Sequence, residues 1–195
     1  CSDTYTLAYR KPPIPDESLP NQVLGLYMGT QKNPYEPNTI RHSMASVKEH
    51  YDNLLASCYS WMCGGSDLIL KRNRTFFQDH DIRPAHSSTA VDLGAGSGFQ
   101  AIPLAEAGFK VTAIDLSREL LTELSETAGT LAIKTVRGNL LNFVQYSPAE
   151  IETIVCMGDT LTHLKTPTEV KELIHRAYGA LEKEGLLILG FRDMT

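Results

Sequence analysis

A chain of 195 residues is long enough for one domain with a sizeable core and too short for two ordinary ones. Its 42% hydrophobic and 21% charged residues are those of a globular protein, and a formal net charge of −5 argues against a broad nucleic-acid or anionic-membrane surface, which needs clustered Lys and Arg. No apolar stretch approaches the roughly 20 residues of a membrane span, and Cys1, Cys58, Cys63 and Cys156 show neither a C-x-x-C pair nor zinc-ligand spacing, the usage of a reduced, cytoplasmic chain.

The chain starts at Cys1 and Ser2 rather than at Met, which reads as a trimmed start. Residues 1–38 are rich in proline and turn formers ("KPPIPDESLPN", "NPYEPN") and predict an extended or disordered arm. Residues 39–88 predict a helical lid segment. In it, Val47, Tyr51, Leu54, Leu55 and Cys58 recur at three- and four-residue spacing, the signature of an amphipathic helix. After Gly64 and Gly65 a second helix runs through "SDLILKRNRTFFQDH", capped by Ser66, with the basic run "LKRNR" as a solvated face. From Thr89 to residue 195 strands and helices alternate. Strands are expected at 89–93, 110–115, 132–136, 151–156 and 186–191. Of the helices between them, one ends at Gly108, one is capped by Ser117, and one opens on a capping box of Thr166 and Glu169 with Pro167 at its first position. Short apolar strands alternating with helices imply parallel pairing through right-handed crossovers, so the fold class is α/β: a doubly wound, mostly parallel Rossmann-like sheet with N-terminal helices.

Ligands in such sheets lie at the carboxyl ends of the strands, where the strand order reverses. The first strand runs into "VDLGAGSG", with Gly94, Gly96 and Gly98 spaced two apart. A dinucleotide fingerprint requires glycine at position 99, and Phe99 stands there. The second strand ends on Asp115, whose carboxylate offers paired acceptors to the hydroxyls of a ribose. Asn139 and Leu140 follow the third strand, placed to meet an adenine edge and face, and the fourth runs into the polar loop "CMGDTLTHL".

Taken together, "VDLGAGSG", "AIDLS", "RGNLLNF" and "IVCMGDTLTHL" resemble the class I S-adenosylmethionine-dependent methyltransferases, over a stretch from about Tyr51 to the end. The resemblance implies S-adenosylmethionine as cofactor and assigns roles. Gly94, Gly96 and Gly98, with Ala95 between them, let the backbone approach the methionine part, and Asp92 orders its amino group directly or through water. Asp115 binds the ribose and Leu116 packs on the adenine. Asn139 stands where the family usually has an aspartate accepting from the adenine amino group. Met157, Tyr59 and Trp61 complete the expected cofactor-binding set.

The loop after the fourth strand lacks the Asn/Asp-Pro-Pro-aromatic run of methyltransferases that act on nucleic-acid bases. It looks instead like that of small-molecule enzymes related to glycine N-methyltransferase. A small-molecule methyl acceptor is therefore expected, with no nucleic acid and no membrane as partner. His163 is the candidate base, oriented by Asp159, or else a histidine that hydrogen-bonds its loop into shape. Tyr51, Tyr59 and Trp61 either enclose a sulfonium or amine by cation–π attraction or pack the helix. The cysteines either bind a soft metalloid or are buried structural thiols; no metal site is expected. A catalytically silent cofactor-binding module and a NAD-dependent oxidoreductase are the alternative functions.

The resembled sheet has seven strands, and five are visible here. "LLILGF" is apolar throughout, as a strand buried on both faces should be, and carries neither charge nor proline to blunt an edge. The expectation is an open edge beside it, a truncated C-terminus, and pairing of that edge with another chain.

Overall fold

The computed structural model describes residues 4–11 and 66–192. Its elements, in chain order, are β1 (Thr4–Arg10), α1 (Ser66–Asp79), β2 (Thr89–Leu93), α2 (Ala101–Glu106), β3 (Lys110–Asp115), α3 (Arg118–Ala128), β4 (Ile133–Arg137), β5 (Ile151–Cys156), α4 (Pro167–Ala180) and β6 (Leu181–Arg192). Two 3-10 turns, Leu140–Gln145 and Thr160–His163, flank β5. The expected helix over 43–62, with Tyr51, Tyr59 and Trp61, lies outside the described residues, as do Cys1, Cys58 and Cys63.

Six strands form one sheet in the order β1-β6-β5-β2-β3-β4, parallel except for β1. Alternation along each strand divides the core into two layers. Ala90, Val111, Ala113, Val155 and Ile188 point to the face covered by α1, α2 and α3, where Ile69, Phe77, Leu104 and Leu124 meet them. Val91, Leu93, Ile114, Ile154, Leu187 and Leu189 point to the face covered by α4 and the first 3-10 turn, against Phe143, Leu173 and Ile174. Strands β2, β5 and β6 are buried on both faces, which is why they read as near-continuous apolar runs.

Helix ends follow from local chemistry. The Ser117 hydroxyl accepts from the Leu120 amide to start α3, and the Thr166 hydroxyl accepts from the Glu169 amide to start α4, which has proline in its first turn. The expected boundaries hold to within a few residues except at β6, which begins at Leu181 and takes in the irregular stretch Glu182–Gly185, where Glu184 has φ 62°.

The sheet edge corrects the sequence reading. Residues expected to belong to an extended or disordered arm form β1, which pairs antiparallel with β6 from Thr4 opposite Arg192 to Arg10 opposite Leu186. The edge of β6 is therefore closed by this chain itself. Five expected strands become six, and the edge of β6 expected to be open is a paired one. The physical reason lies in "TYTLAYR", a β-branched and aromatic run free of proline, which the prolines at 12 and 13 overshadowed. Lys11 then fastens the strand. Its ammonium donates to the carbonyls of Tyr178 and Leu181 at the C-terminal end of α4 and lies 4.9 Å from the Tyr178 ring centre.

Candidate active site

The strand order reverses between β2 and β5: the chain runs outward through β3 and β4 on one side and through β6 on the other. The crevice at their carboxyl ends is lined by the glycine turn after β2, by Asp115 at the end of β3, and by the loop after β5. The described structure thus brings Asp92, Gly94, Ala95, Gly96, Gly98, Asp115, Leu116, Met157, Asp159 and His163 to one end of the sheet, with Asn139 and Leu140 following β4.

Asp115 organises this end. One carboxylate oxygen accepts the Gly96 amide at 2.8 Å and the other the Ser117 amide at 2.8 Å. These bonds pin the glycine turn to β3; with the Leu116 amide also bearing on the carboxylate, part of its roughly four-fold acceptor capacity remains for a ligand. Burial pushes the carboxyl's pKa up, while the Ser117, Gly96 and Leu116 amides and then the charge of nearby His163 pull against it. Leu116 beside it is 42% exposed, an apolar side chain held out at the crevice.

Asp92 is the contrasting carboxylate. It is 1% exposed, and neither of its oxygens has a partner in normal hydrogen-bond geometry, the Ala101 amide being the backbone donor that bears on it. Burial, and then the charge of Asp115, raise its pKa from 3.8 to about 8, with the Ala101 amide opposing weakly. Of these two neighbouring carboxyls, burial and the charge of Asp115 favour the proton on Asp92 at neutral pH. Cys156, buried at the end of β5, is pushed up as well by burial and by Asp92, so it is an inert thiol rather than a nucleophile.

Two of the three glycines are required by protein neighbours. At Gly94, φ is 77° and a Cβ would lie 2.4 Å from the Thr160 methyl, so the loop after β5 rests directly on the glycine turn. At Gly98, φ is 92° and a Cβ would lie 2.2 Å from Leu124 of α3. Glycine here combines left-handed backbone with close approach. The space at these two positions is taken by Thr160 and Leu124.

Asn139 caps the first 3-10 turn, its amide oxygen accepting from the Leu141 amide at 2.9 Å. The oxygen expected to meet an adenine amino group is thus already engaged once. Leu140 and Met157 are half-buried against the two core layers, and Ala95 is buried. His163 is exposed at the end of the second 3-10 turn.

Residues 90–185 match a family described as a methyltransferase domain. Over that stretch the chain is similar to methyltransferase domains. Among curated proteins, the chain is 30% identical over 105 residues to a glycine/sarcosine N-methyltransferase of Aphanothece halophytica, a match covering 53% of this chain and 40% of that protein. It is 29% identical over 121 residues to the enzyme of the same name from Halorhodospira halochloris, covering 58% and 43%. The chain spans about two fifths of the length of these relatives. In fold, the chain is similar to a magnesium protoporphyrin IX methyltransferase from Synechocystis PCC 6803 solved with bound SAM (TM-score 0.50, 16% identity, 68% of this chain and 71% of that one). It is also similar to the glycopeptide N-methyltransferase MtfA solved with sinefungin (TM-score 0.51, 21% identity, 62% and 48%).

Two residues that brace the glycine turn and the helix after it escaped the sequence reading. Thr160 carries no local signal, since only tertiary structure sets it over Gly94. Asn73, on α1, is buried and donates its side-chain amide to the Phe99 carbonyl at 2.7 Å. A signal for it exists in Pro103, four residues after Phe99, which has no N–H to offer a helical carbonyl.

Proposed function

We propose that this chain supplies the cofactor-binding core of an S-adenosylmethionine-dependent methyltransferase acting on a small amine. The observation that carries the reading is Asp92, a fully buried carboxyl under-supplied with donors, with only the Ala101 amide bearing on it, beneath a glycine turn in a crevice where Asp115 retains acceptor capacity. A buried carboxyl short of donors is costly unless a ligand uses it. The ammonium of a bound amino acid moiety, directly or through one water, fits that need, and the ribose hydroxyls fit Asp115. Leu116 offers an apolar face to a base, and Asn139 and Leu140 flank it.

When bound, S-adenosylmethionine supplies an electrophilic methyl group on a sulfonium. The protein's part is then chiefly alignment of the acceptor with that methyl, worth roughly 7–11 kcal/mol in the best intramolecular models. An amine arriving as ammonium must also shed a proton, and His163, whose charge is felt at Asp115, is the proposed base. The glycine and sarcosine methyltransferases among the relatives make small amines the first acceptors to try.

Calorimetric titration of the chain with S-adenosylmethionine, S-adenosylhomocysteine and NAD is the test, followed by an acceptor screen led by glycine and sarcosine. Binding of the first two and not NAD is expected. Binding of NAD alone would refute the reading, and cofactor binding with no turnover on any acceptor would reduce it to a silent module. For His163, replacement by Ala should lower the maximal rate about 10²–10⁴-fold with cofactor affinity kept; a rate within about threefold of the unaltered chain excludes the base role.

A further inference from the structure

Helix α2 opens directly from the glycine turn and contains a proline at its third position, Pro103. Its backbone ladder shows what that proline costs. The Ile102 amide donates to the Gly98 carbonyl at 3.0 Å and the Leu104 amide to the Gln100 carbonyl at 3.1 Å. The rung between them would run from residue 103 to the Phe99 carbonyl, and proline has no N–H to make it. At that gap the side chain of Asn73 donates to the Phe99 carbonyl at 2.7 Å, from a different helix and 26 residues earlier in the chain. Asn73 is 4% exposed on a helix whose other buried residues, Ile69, Leu70 and Phe77, are apolar. An apolar side chain would pack in that setting; the amide is there for its donor.

The adjoining residue makes the same connection at the other end of α2. Arg74 forms a two-pronged pair with Glu106, the last residue of α2, with Nε to Oε2 at 2.6 Å and Nη2 to Oε1 at 2.8 Å. Helix α1 is thereby tied to both ends of α2, and the tie at the head falls on the residue that directly follows Gly98.

From this geometry we infer that Asn73 is a positioning residue for the cofactor: it replaces the amide that Pro103 lacks, holds the glycine turn in its binding shape, and makes cofactor affinity depend on the docking of α1. The inference rests on the proposed cofactor reading and adds to it a residue remote from the crevice. It predicts that Asn73 is needed only because residue 103 is proline. In a chain with Pro103→Ala the ladder supplies its own donor, and Asn73 becomes dispensable.

The test is a double-variant cycle read by calorimetric titration with S-adenosylmethionine, with thermal melting of each variant alongside. Asn73→Leu, which keeps the branching and heavy-atom count and removes the donor, should raise the dissociation constant about tenfold, the scale of one buried hydrogen bond lost. Pro103→Ala alone should bind as the unaltered chain does, and adding Asn73→Leu to it should change affinity by less than about threefold. A purely structural asparagine would lower the melting temperature and leave affinity alone, and that result overturns the inference. Should Asn73→Leu fold too poorly to titrate, the comparison in the Pro103→Ala background decides alone: equal affinities support the coupling, and a further loss of tenfold refutes it. Failure of the unaltered chain to bind S-adenosylmethionine would bring down the cofactor reading and this inference together, whereas normal binding by both the unaltered chain and Asn73→Leu would bring down the inference only.

Discussion

Replacing Asp92 by Asn should make this protein more stable and worse at binding its cofactor, by an amount that depends on pH. The folded carboxyl has a pKa of about 8 against an ordinary 3.8, because it is buried and faces the charge of Asp115. Below about pH 4 both folded and unfolded chains hold the proton, and the residue costs nothing. Between about pH 4 and 8 the unfolded chain releases the proton and the folded chain keeps it, so stability falls as pH rises, by about 1.4 kcal/mol per pH unit. At pH 7 the accumulated loss reaches a ceiling of about 4 kcal/mol, to be set against a typical total stability of roughly 5–15 kcal/mol. Asn has nearly the same shape and no proton to exchange. Urea unfolding of both proteins at several pH values between 5 and 7.5 should show the variant's advantage growing with pH, while titration with S-adenosylmethionine shows weaker binding. A difference in stability that stays flat across that range, or a variant less stable throughout, would refute the assignment of a buried proton to Asp92.

Three further outcomes follow from the packing. Gly94→Ala should cost about 2–4 kcal/mol by combining left-handed strain with the Thr160 clash, and adding Thr160→Gly should recover only the steric share; full recovery in chemical denaturation would show the backbone to be unstrained. Glu152 accepts the amides of Ala85, His86 and Ser88 at the amino end of β5, so Glu152→Ala should destabilise by about 3 kcal/mol in urea with cofactor affinity unchanged, and a stability loss under about 0.5 kcal/mol would contradict its role. Removing residues 1–11 should uncover the apolar edge of β6 and produce concentration-dependent association on size exclusion, whereas a monomer of unaltered melting temperature would show that β1 contributes little.

The parallel part of the sheet was legible because strands buried on both faces must be apolar, and β2, β3, β5 and β6 are. Ser117 and Thr166 announced their helices because a capping hydroxyl acts within three residues of itself. Strand β1 was hidden because its β-branched and aromatic run sits beside prolines and its partner β6 lies at the other end of the chain. The site divided in the same way. Asp92, Asp115 and the glycine spacing were readable as local pattern, whereas the contacts that explain Gly94 and Gly98 come from Thr160 and Leu124, which no spacing rule connects to them. Asn73 was hidden inside "LKRNR", read as a solvated face because its neighbours Lys71 and Arg72 are indeed exposed. A polar residue among charged ones gives no sign that it is the buried member.

The pairing of β1 with β6 also bears on how the molecule comes together. Thr4 and Arg192 are partners across nearly the whole described chain, while β2, β3 and β4 pair with neighbours one helix away. Loop-closure entropy makes such a distant pairing slow, and its partner β6 is the last described strand to leave the ribosome. The parallel block can assemble first, during synthesis, with β1 waiting unpaired. Closing the edge is then the final step, and Lys11 reaches the end of α4 only when that helix already exists to receive it.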